Sequence, residues 1–152
     1  MHFSALLAAG AATLAAAAPA AQQGTTTSTE GGPGAFEVSR FHYVCAIGEP
    51  RYCRWSFDLA VSGSAPNHPA LPGPYYCEGS SNNTFFTPCS SVSETQELLA
   101  YIPENNVVQL QYTALNYNNG VTYAYFGEYQ TQPNNPYQAT NFTVAESAVK
   151  EY

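Results

Sequence analysis

The chain is predicted to be all-β: a single antiparallel β-sandwich or closed β-barrel of about eight short strands, stapled by two disulfides. Three observations predict it. Residues 52–62 alternate without a break, with Cys53, Trp55, Phe57, Leu59 and Val61 on one parity and Arg54, Ser56, Asp58 and Ser62 on the other. That is the mark of a strand with one buried and one wet face. Turn signals recur roughly every ten residues with no long helical period between them, which suits short strands wrapped on one core. Cys45, Cys53, Cys77 and Cys89 make an even set in a small chain, which reads as a disulfide framework.

Ahead of the strands, residues 1–20 read as a signal peptide. Residues 3–18 are uncharged and rich in alanine and leucine, and Ala18-Pro19-Ala20 supplies the small-residue pattern of a cleavage site. The run is too short and too rich in alanine for a spanning helix, and no later stretch is long and apolar enough to be one. Residues 21–34, AQQGTTTSTEGGPG, read as a disordered Thr/Gly-rich leader. Residues 35–152 then form one all-β domain of 118 residues. A secreted, extracellular protein without a membrane anchor is the expectation.

Within the domain, Phe36 and Val38 sit on even positions but Phe41, Tyr43 and Cys45 on odd ones. The parity switch near Ser39 and Arg40 predicts a β-bulge in the first strand. Gly48-Glu49-Pro50 turns the chain into the 52–62 strand, so the two would form a hairpin. Residues 64–74 hold four prolines and read as a surface loop outside the sheet. Residues 75–78 and 84–87 read as two short strands around a polar turn. Residues 96–102 are ambiguous in period, and the all-β context favours a strand. Asn105-Asn106 makes a turn. In residues 107–115, Val108, Leu110, Tyr112 and Ala114 form one face of another alternating strand. Asn119-Gly120 signals a hairpin, with Val121, Tyr123 and Tyr125 on the return strand. Residues 131–136 are a loop, 137–145 a last strand, and 146–152 a short helical or frayed tail. Of the three possible cysteine pairings, sequence neighbours, Cys45–Cys53 and Cys77–Cys89, are the expected ones; each short loop would stabilise by roughly 2.5–3 kcal/mol.

The formal net charge is −7, with one lysine and three arginines, Arg40, Arg51 and Arg54. Phosphate backbones need many cations to displace their counterions, so no nucleic-acid partner is expected, and an anionic membrane surface is equally unsuited. Cysteine spacings of seven and eleven residues with no paired histidines do not make a zinc site; no metal or cofactor is expected. His42 and His68 are read as surface or packing residues, since no G-x-S-x-G and no converging triad accompanies them. Glycosidase chemistry needs two carboxyl groups opposed across a cleft, for which Glu78, Glu128 and Asp58 are the candidates. Guanyl-specific ribonuclease chemistry needs a late histidine, and none follows His68. Tyrosine is abundant, with twelve in the chain. Tyr112, Tyr117, Tyr123, Tyr125 and Tyr129 gather on one hairpin. Exposed, they would form a candidate binding surface of amphipathic anchors; half-buried, they would only be doing what tyrosine does in strands. Asn82-Asn83-Thr84 and Asn141-Phe142-Thr143 are candidate N-glycosylation sites.

F-x-V-S-x-F at residues 36–41, C-x7-C-x-W-S-F at 45–57, a proline loop, and a second cysteine pair ending in T-P-C at 87–89 occur in that order. In this combination the chain resembles the small secreted fungal proteins of the Alternaria major allergen (AA-one-like) domain family. The resemblance spans most of residues 36–89 and fades to strand pattern beyond. It implies a closed β-barrel without catalytic residues, exported from a fungal cell and meeting plant or host proteins outside it. The expected function is a secreted, non-enzymatic extracellular protein of allergen or effector type that binds a host or cell-surface protein. The alternative is a module binding cell-wall polysaccharide through exposed tyrosines, and a small secreted hydrolase is a distant third.

Overall fold

The computed structural model describes residues 34–48, 51–63, 67–146 and 148–152. The signal peptide and the leader up to residue 33 lie outside the described residues. Strand follows strand: β1 (Ala35–Cys45), β2 (Cys53–Ser62), β3 (Leu71–Ser80), β4 (Thr87–Pro88), β5 (Gln96–Tyr101), β6 (Val107–Asn116), β7 (Val121–Gln130), β8 (Phe142–Ala145) and β9 (Ala148–Glu151). They form two antiparallel sheets, ordered β3-β2-β1-β8 and β4-β5-β6-β7-β9. The chain lays down three strands of the first sheet and four of the second, then returns β8 beside β1 and ends with β9 beside β7.

This is a sandwich, and the closed barrel is not formed. β3 pairs only with β2, and β4 only with β5. The seam between β3 and β4 is held instead by the Cys77–Cys89 disulfide and by Ser90 N–H donating to the Tyr76 carbonyl at 2.7 Å. On the other side β8 pairs with β1 and stays out of any ladder with β7.

The alternation of β2 sets the core. Cys53, Trp55, Phe57, Leu59 and Val61 are all buried, and Trp55 stacks on Phe57 with ring centroids 5.6 Å apart. Leu98, Ala100, Val108, Leu110 and Tyr112 close over them from the second sheet. Each fully buried large side chain contributes about 1.5–3 kcal/mol relative to leaving it in water. Gly127 on β7 leaves room for Phe36, because a Cβ there would lie 2.8 Å from its ring.

The predicted bulge is present: the β1–β2 register shifts between Ser39 and His42, and Arg40 carries a φ of 51°. It also overturns one expectation. Asp58 lies on the outward face of β2 but is buried, because the bulge lays the Arg40 guanidinium across it in a hydrogen-bonded ion pair. Both cysteine pairings are as expected, with Cys45–Cys53 closing the β1–β2 hairpin. The hairpin at Asn119-Gly120 forms as well, with Gly120 at φ 71° in the turn.

Four further expectations are corrected. The segment after β2 is not wholly a surface loop: Leu71 pairs with Val61 at the start of β3, and Asn67 and His68 are buried. β3 and β4 do not make a hairpin but cross from one sheet to the other. The last long strand shrinks to β8, because residues 137–141 are turns and bends. The tail becomes β9, paired with β7 from Tyr123 to Phe126, since an open edge of backbone groups is satisfied by the nearest strand. No helix among the described residues is long and apolar enough to cross a membrane.

Candidate functional site

The tyrosine hairpin is the first place to look, and it is not one surface. Tyr112, Tyr123 and Tyr125 are buried in the core and Tyr129 is half-buried, stacked on Phe142 at 4.0 Å. Tyr117, in the β6–β7 turn, is 77% exposed and stands alone. Alternation correctly groups these residues on one face, but that face is turned against the other sheet.

Two of the buried tyrosines hold a polar knot. His68 lies edge-on to the rings of Tyr125 and Tyr112, at 4.2 and 5.3 Å. Its Nε2 meets Glu146 Oε1 at 2.5 Å, and the other carboxylate oxygen accepts the Gly34 N–H at 2.9 Å. Tyr112 donates to the Pro69 carbonyl and Tyr125 to the Asn67 carbonyl, at 2.8 and 2.5 Å. Burial pushes the Tyr112 hydroxyl up to about 12; the Gln96 hydrogen bond works against this, and the nearby Glu146 adds to it. Burial raises Tyr125 further, again with Glu146 adding. A Cβ on Gly34 or Gly63 would run into the imidazole, and Gly63 also holds a φ of 138°. His68 and Glu146 are 2% and 6% exposed, so no substrate reaches them. The knot ties three segments distant in sequence to one another.

An open groove lies at the end of the sandwich where the β1–β2 loop, the β3–β4 crossing and the β5–β6 turn meet; a smaller one on the outer face of the first sheet is lined by His42, Arg54, Tyr76 and Glu78. The larger groove, of about 880 Å³, runs between the sheets. Tyr43, Trp55 and Tyr101 form its apolar walls; Asn82, Asn83, Asn105 and Asn106 supply amides, and Arg51 and Glu104 opposite charges. Tyr43 spans the floor, its hydroxyl donating to Asn106 Oδ1 at 2.8 Å. Burial raises the Tyr43 hydroxyl above its ordinary value, offset in part by the Arg51 guanidinium. The crossing is stiffened by Asn83, whose Oδ1 accepts the Ser80 N–H at 2.7 Å and whose amide donates to Thr87 Oγ1 at 2.8 Å.

No protein-family model, curated protein or solved structure matches this chain. What the groove can do is therefore read from its own residues. It offers hydrogen-bond donors and acceptors on aromatic walls, which is the equipment of binding. The carboxylates weighed for hydrolysis are kept apart. Glu78 is exposed on β3 beside the Tyr76 hydroxyl, and Glu128 is exposed on β7 beside Gln109, so they point outward from opposite sheets. Asp58 is consumed by Arg40. His42 is exposed on the outer face of β1, directly across from Ser56. Among the described residues no group of three His, Cys, Asp or Glu side chains is placed to hold a metal. Asn82 is exposed on the groove rim; Asn141 is exposed too, but its Oδ1 accepts the Arg40 N–H at 3.1 Å.

Sequence reasoning did not find the groove or the role of Glu146. The groove joins residues 43, 82 and 105, whose proximity is a product of the sheet crossing. Glu146 did leave a trace, as a lone acid between Val144-Ala145 and Ala148-Val149, an apolar setting in which an unpaired carboxylate is costly.

Proposed function

We propose that this chain is a secreted, non-enzymatic extracellular protein of allergen or effector type that binds a host or cell-surface protein with the groove end of its sandwich. The observation that carries this reading is the groove itself: aromatic walls, four amides and one arginine at the end of a stapled scaffold. Aromatic and arginine side chains on a rigid frame are what interface hot spots are made of. Two disulfides fit an oxidising compartment. The motif resemblance to the Alternaria allergen family supports the same reading. Asn82 is the better placed of the two glycan acceptors, since it lies in an exposed turn while Asn141 abuts β8.

A second reading has an observation of its own. Asn82, Asn83, Asn105 and Asn106 beside Tyr101 would also suit the hydroxyls and ring faces of a cell-wall polysaccharide. That reading moves from the tyrosine hairpin to the groove. The two separate in one experiment: purified protein is offered insoluble chitin, glucan and cellulose, and in parallel immobilised for capture of extracellular host proteins. Protein capture that is lost with Arg51→Glu and kept with Tyr117→Ala supports the first reading. Retention on polysaccharide lost with Asn105→Ala supports the second and sinks the first.

A further inference from the structure

We propose that the groove at the end of the sandwich takes a peptide segment of the partner that carries one acidic and one basic side chain, the acid held by Arg51, the base by Glu104 and a peptide carbonyl by Trp55 Nε1. The inference rests on the protein-binding reading above and names the chemistry of the partner. Its first observation is an orphaned donor. Trp55 is 3% exposed and lines the groove, and its Nε1 is buried with no hydrogen-bond partner among the described residues. A buried N–H without an acceptor is costly, and such groups are rare enough in folded proteins that each calls for a reason. The indole is not free to turn away. It stacks on Phe57 and lies against Gly79, where a Cβ would run into the ring. Any acceptor has to be brought to it.

The second observation is which ends of the groove amides are already engaged. Asn106 Oδ1 accepts the Tyr43 hydroxyl at 2.8 Å, Asn105 Oδ1 the Val107 N–H at 3.2 Å and Asn83 Oδ1 the Ser80 N–H at 2.7 Å. The main-chain carbonyls are taken as well: that of Asn106 accepts the Thr131 hydroxyl at 2.8 Å and that of Asn105 the Gln130 amide at 3.2 Å. The Nδ2 groups of Asn105 and Asn106 have no acceptor among the described residues. Together with Trp55 and Arg51 they leave the groove with a surplus of donors, so what enters it must be rich in acceptors. A peptide brings a carbonyl with every residue.

The third observation is charge. Arg51 and Glu104 both line the groove, both are exposed, and neither makes an ion pair among the described residues. A ligand that meets both carries an acid and a base, as side chains of one peptide do. A neutral glucan or chitin chain would leave both charges unmatched. A polyuronate would meet Arg51 but would set like charge against Glu104 and against the net −7 of the chain. Arg51 suits a carboxylate, because its planar guanidinium can engage both oxygens at once. Tyr43 and Tyr101 are walls on which the aliphatic stems of long charged side chains can pack.

Trp55 also borders the smaller groove on the outer face of the first sheet, beside Arg54 and Glu78. That groove is less well equipped. Glu78 already accepts the Tyr76 hydroxyl at 3.2 Å, and among the described residues no asparagine lines it. It supplies the control for the test.

Trp55 is the chain's single tryptophan, so the nitrogen-15-labelled protein gives one indole N–H resonance, and that resonance reports this site directly. The probes are short glycine-serine peptides, blocked at both ends, that hold one glutamate and one lysine at varied spacing. At least one of them should move the indole resonance downfield, and saturably. Arg51→Glu or Glu104→Lys in the protein, or glutamine for the glutamate of the peptide, should each weaken binding about tenfold or more. Arg51→Gln should cost little further once the peptide's glutamate is gone, which marks a direct pair rather than damage to the fold. Arg54→Glu, on the outer face, should change nothing; loss of binding there instead places the ligand outside this groove and overturns the proposal. An indole resonance that no peptide of the set moves, with circular dichroism confirming the fold, overturns it too, as does one moved by oligogalacturonate or chitohexaose instead. Host-protein capture that is lost with Arg51→Glu while the indole resonance stays in place in the complex would keep the protein-binding reading and remove this one.

Discussion

Glu146 is a single side chain on which three parts of the fold converge. Its carboxylate takes the His68 imidazole on one oxygen and the Gly34 N–H on the other. Removing a buried acceptor leaves each of its partners unsatisfied at a cost of about 1–3 kcal/mol. Glu146→Ala should therefore lower the urea-unfolding free energy by that amount, whereas a loss under about 1 kcal/mol would mean that water reaches the pair. The tyrosines around it make a second residue-scale prediction. In the unfolded chain Tyr112 and Tyr125 ionise near pH 10, but in the fold burial holds Tyr112 neutral to about pH 12 and Tyr125 higher still. Between those values the unfolded chain has lost protons that the folded chain keeps, so stability is complete below pH 10 and falls as pH rises. The slope is about 1.4 kcal/mol per pH unit for each tyrosine. Denaturant titrations from pH 9 to 12 should show it, and Tyr112→Phe with Tyr125→Phe should flatten it.

At the scale of elements, the strand that matters most is one of the shortest. β9 covers the edge of β7 through four paired residues, from Tyr123–Glu151 to Phe126–Ala148. A long edge left open is a template for pairing with another chain. Truncation after Glu146 should therefore yield a protein that associates: light scattering should rise with concentration, and amide exchange should quicken at Ala124 and Phe126. Monodisperse behaviour of the truncated chain would show that β7 protects itself. The bulge in β1 is a different kind of device. It lets one strand change parity, so that Phe36 and Val38 before it and Phe41 and Tyr43 after it are all buried, and it sets Arg40 over Asp58.

For the whole molecule, the two disulfides do unequal jobs despite similar loop lengths of 8 and 12 residues in separation. Loop-closure entropy assigns each about 2.5–3 kcal/mol. Cys45–Cys53 closes a hairpin within one sheet, but Cys77–Cys89 joins the two sheets along a seam with no ladder. Cys77→Ala with Cys89→Ala should therefore part that seam, with faster amide exchange at Ser90 and Tyr76, whose N–H groups bond across it, while Cys45→Ala with Cys53→Ala should leave the sheets docked and free only the loop. Equal exchange at the seam in both variants would remove the distinction.

Much of this architecture is local and could be read in advance. Period-two alternation located β2 and β6, a parity switch located the bulge at Arg40, and Asn119-Gly120 located the β6–β7 turn, because each depends on residues a few positions apart. The cysteine pairs followed from nearness in sequence. What alternation cannot state is which face is covered, or by what. Tyr112, Tyr123 and Tyr125 are set on one face by their spacing, but only the stacking of one sheet on the other turned that face inward. Nor does any local pattern bring His68 to a glutamate 78 residues away, or gather Tyr43, Asn82 and Asn105 around one groove. The sequence by itself determined the long alternating strands β2 and β6, the bulge in β1, the turn at Asn119-Gly120 and the two staples. The tertiary structure alone decided the two-sheet topology, the buried polar knot and the binding end, since these arise from packing between segments whose distance along the chain carries no signal of their meeting.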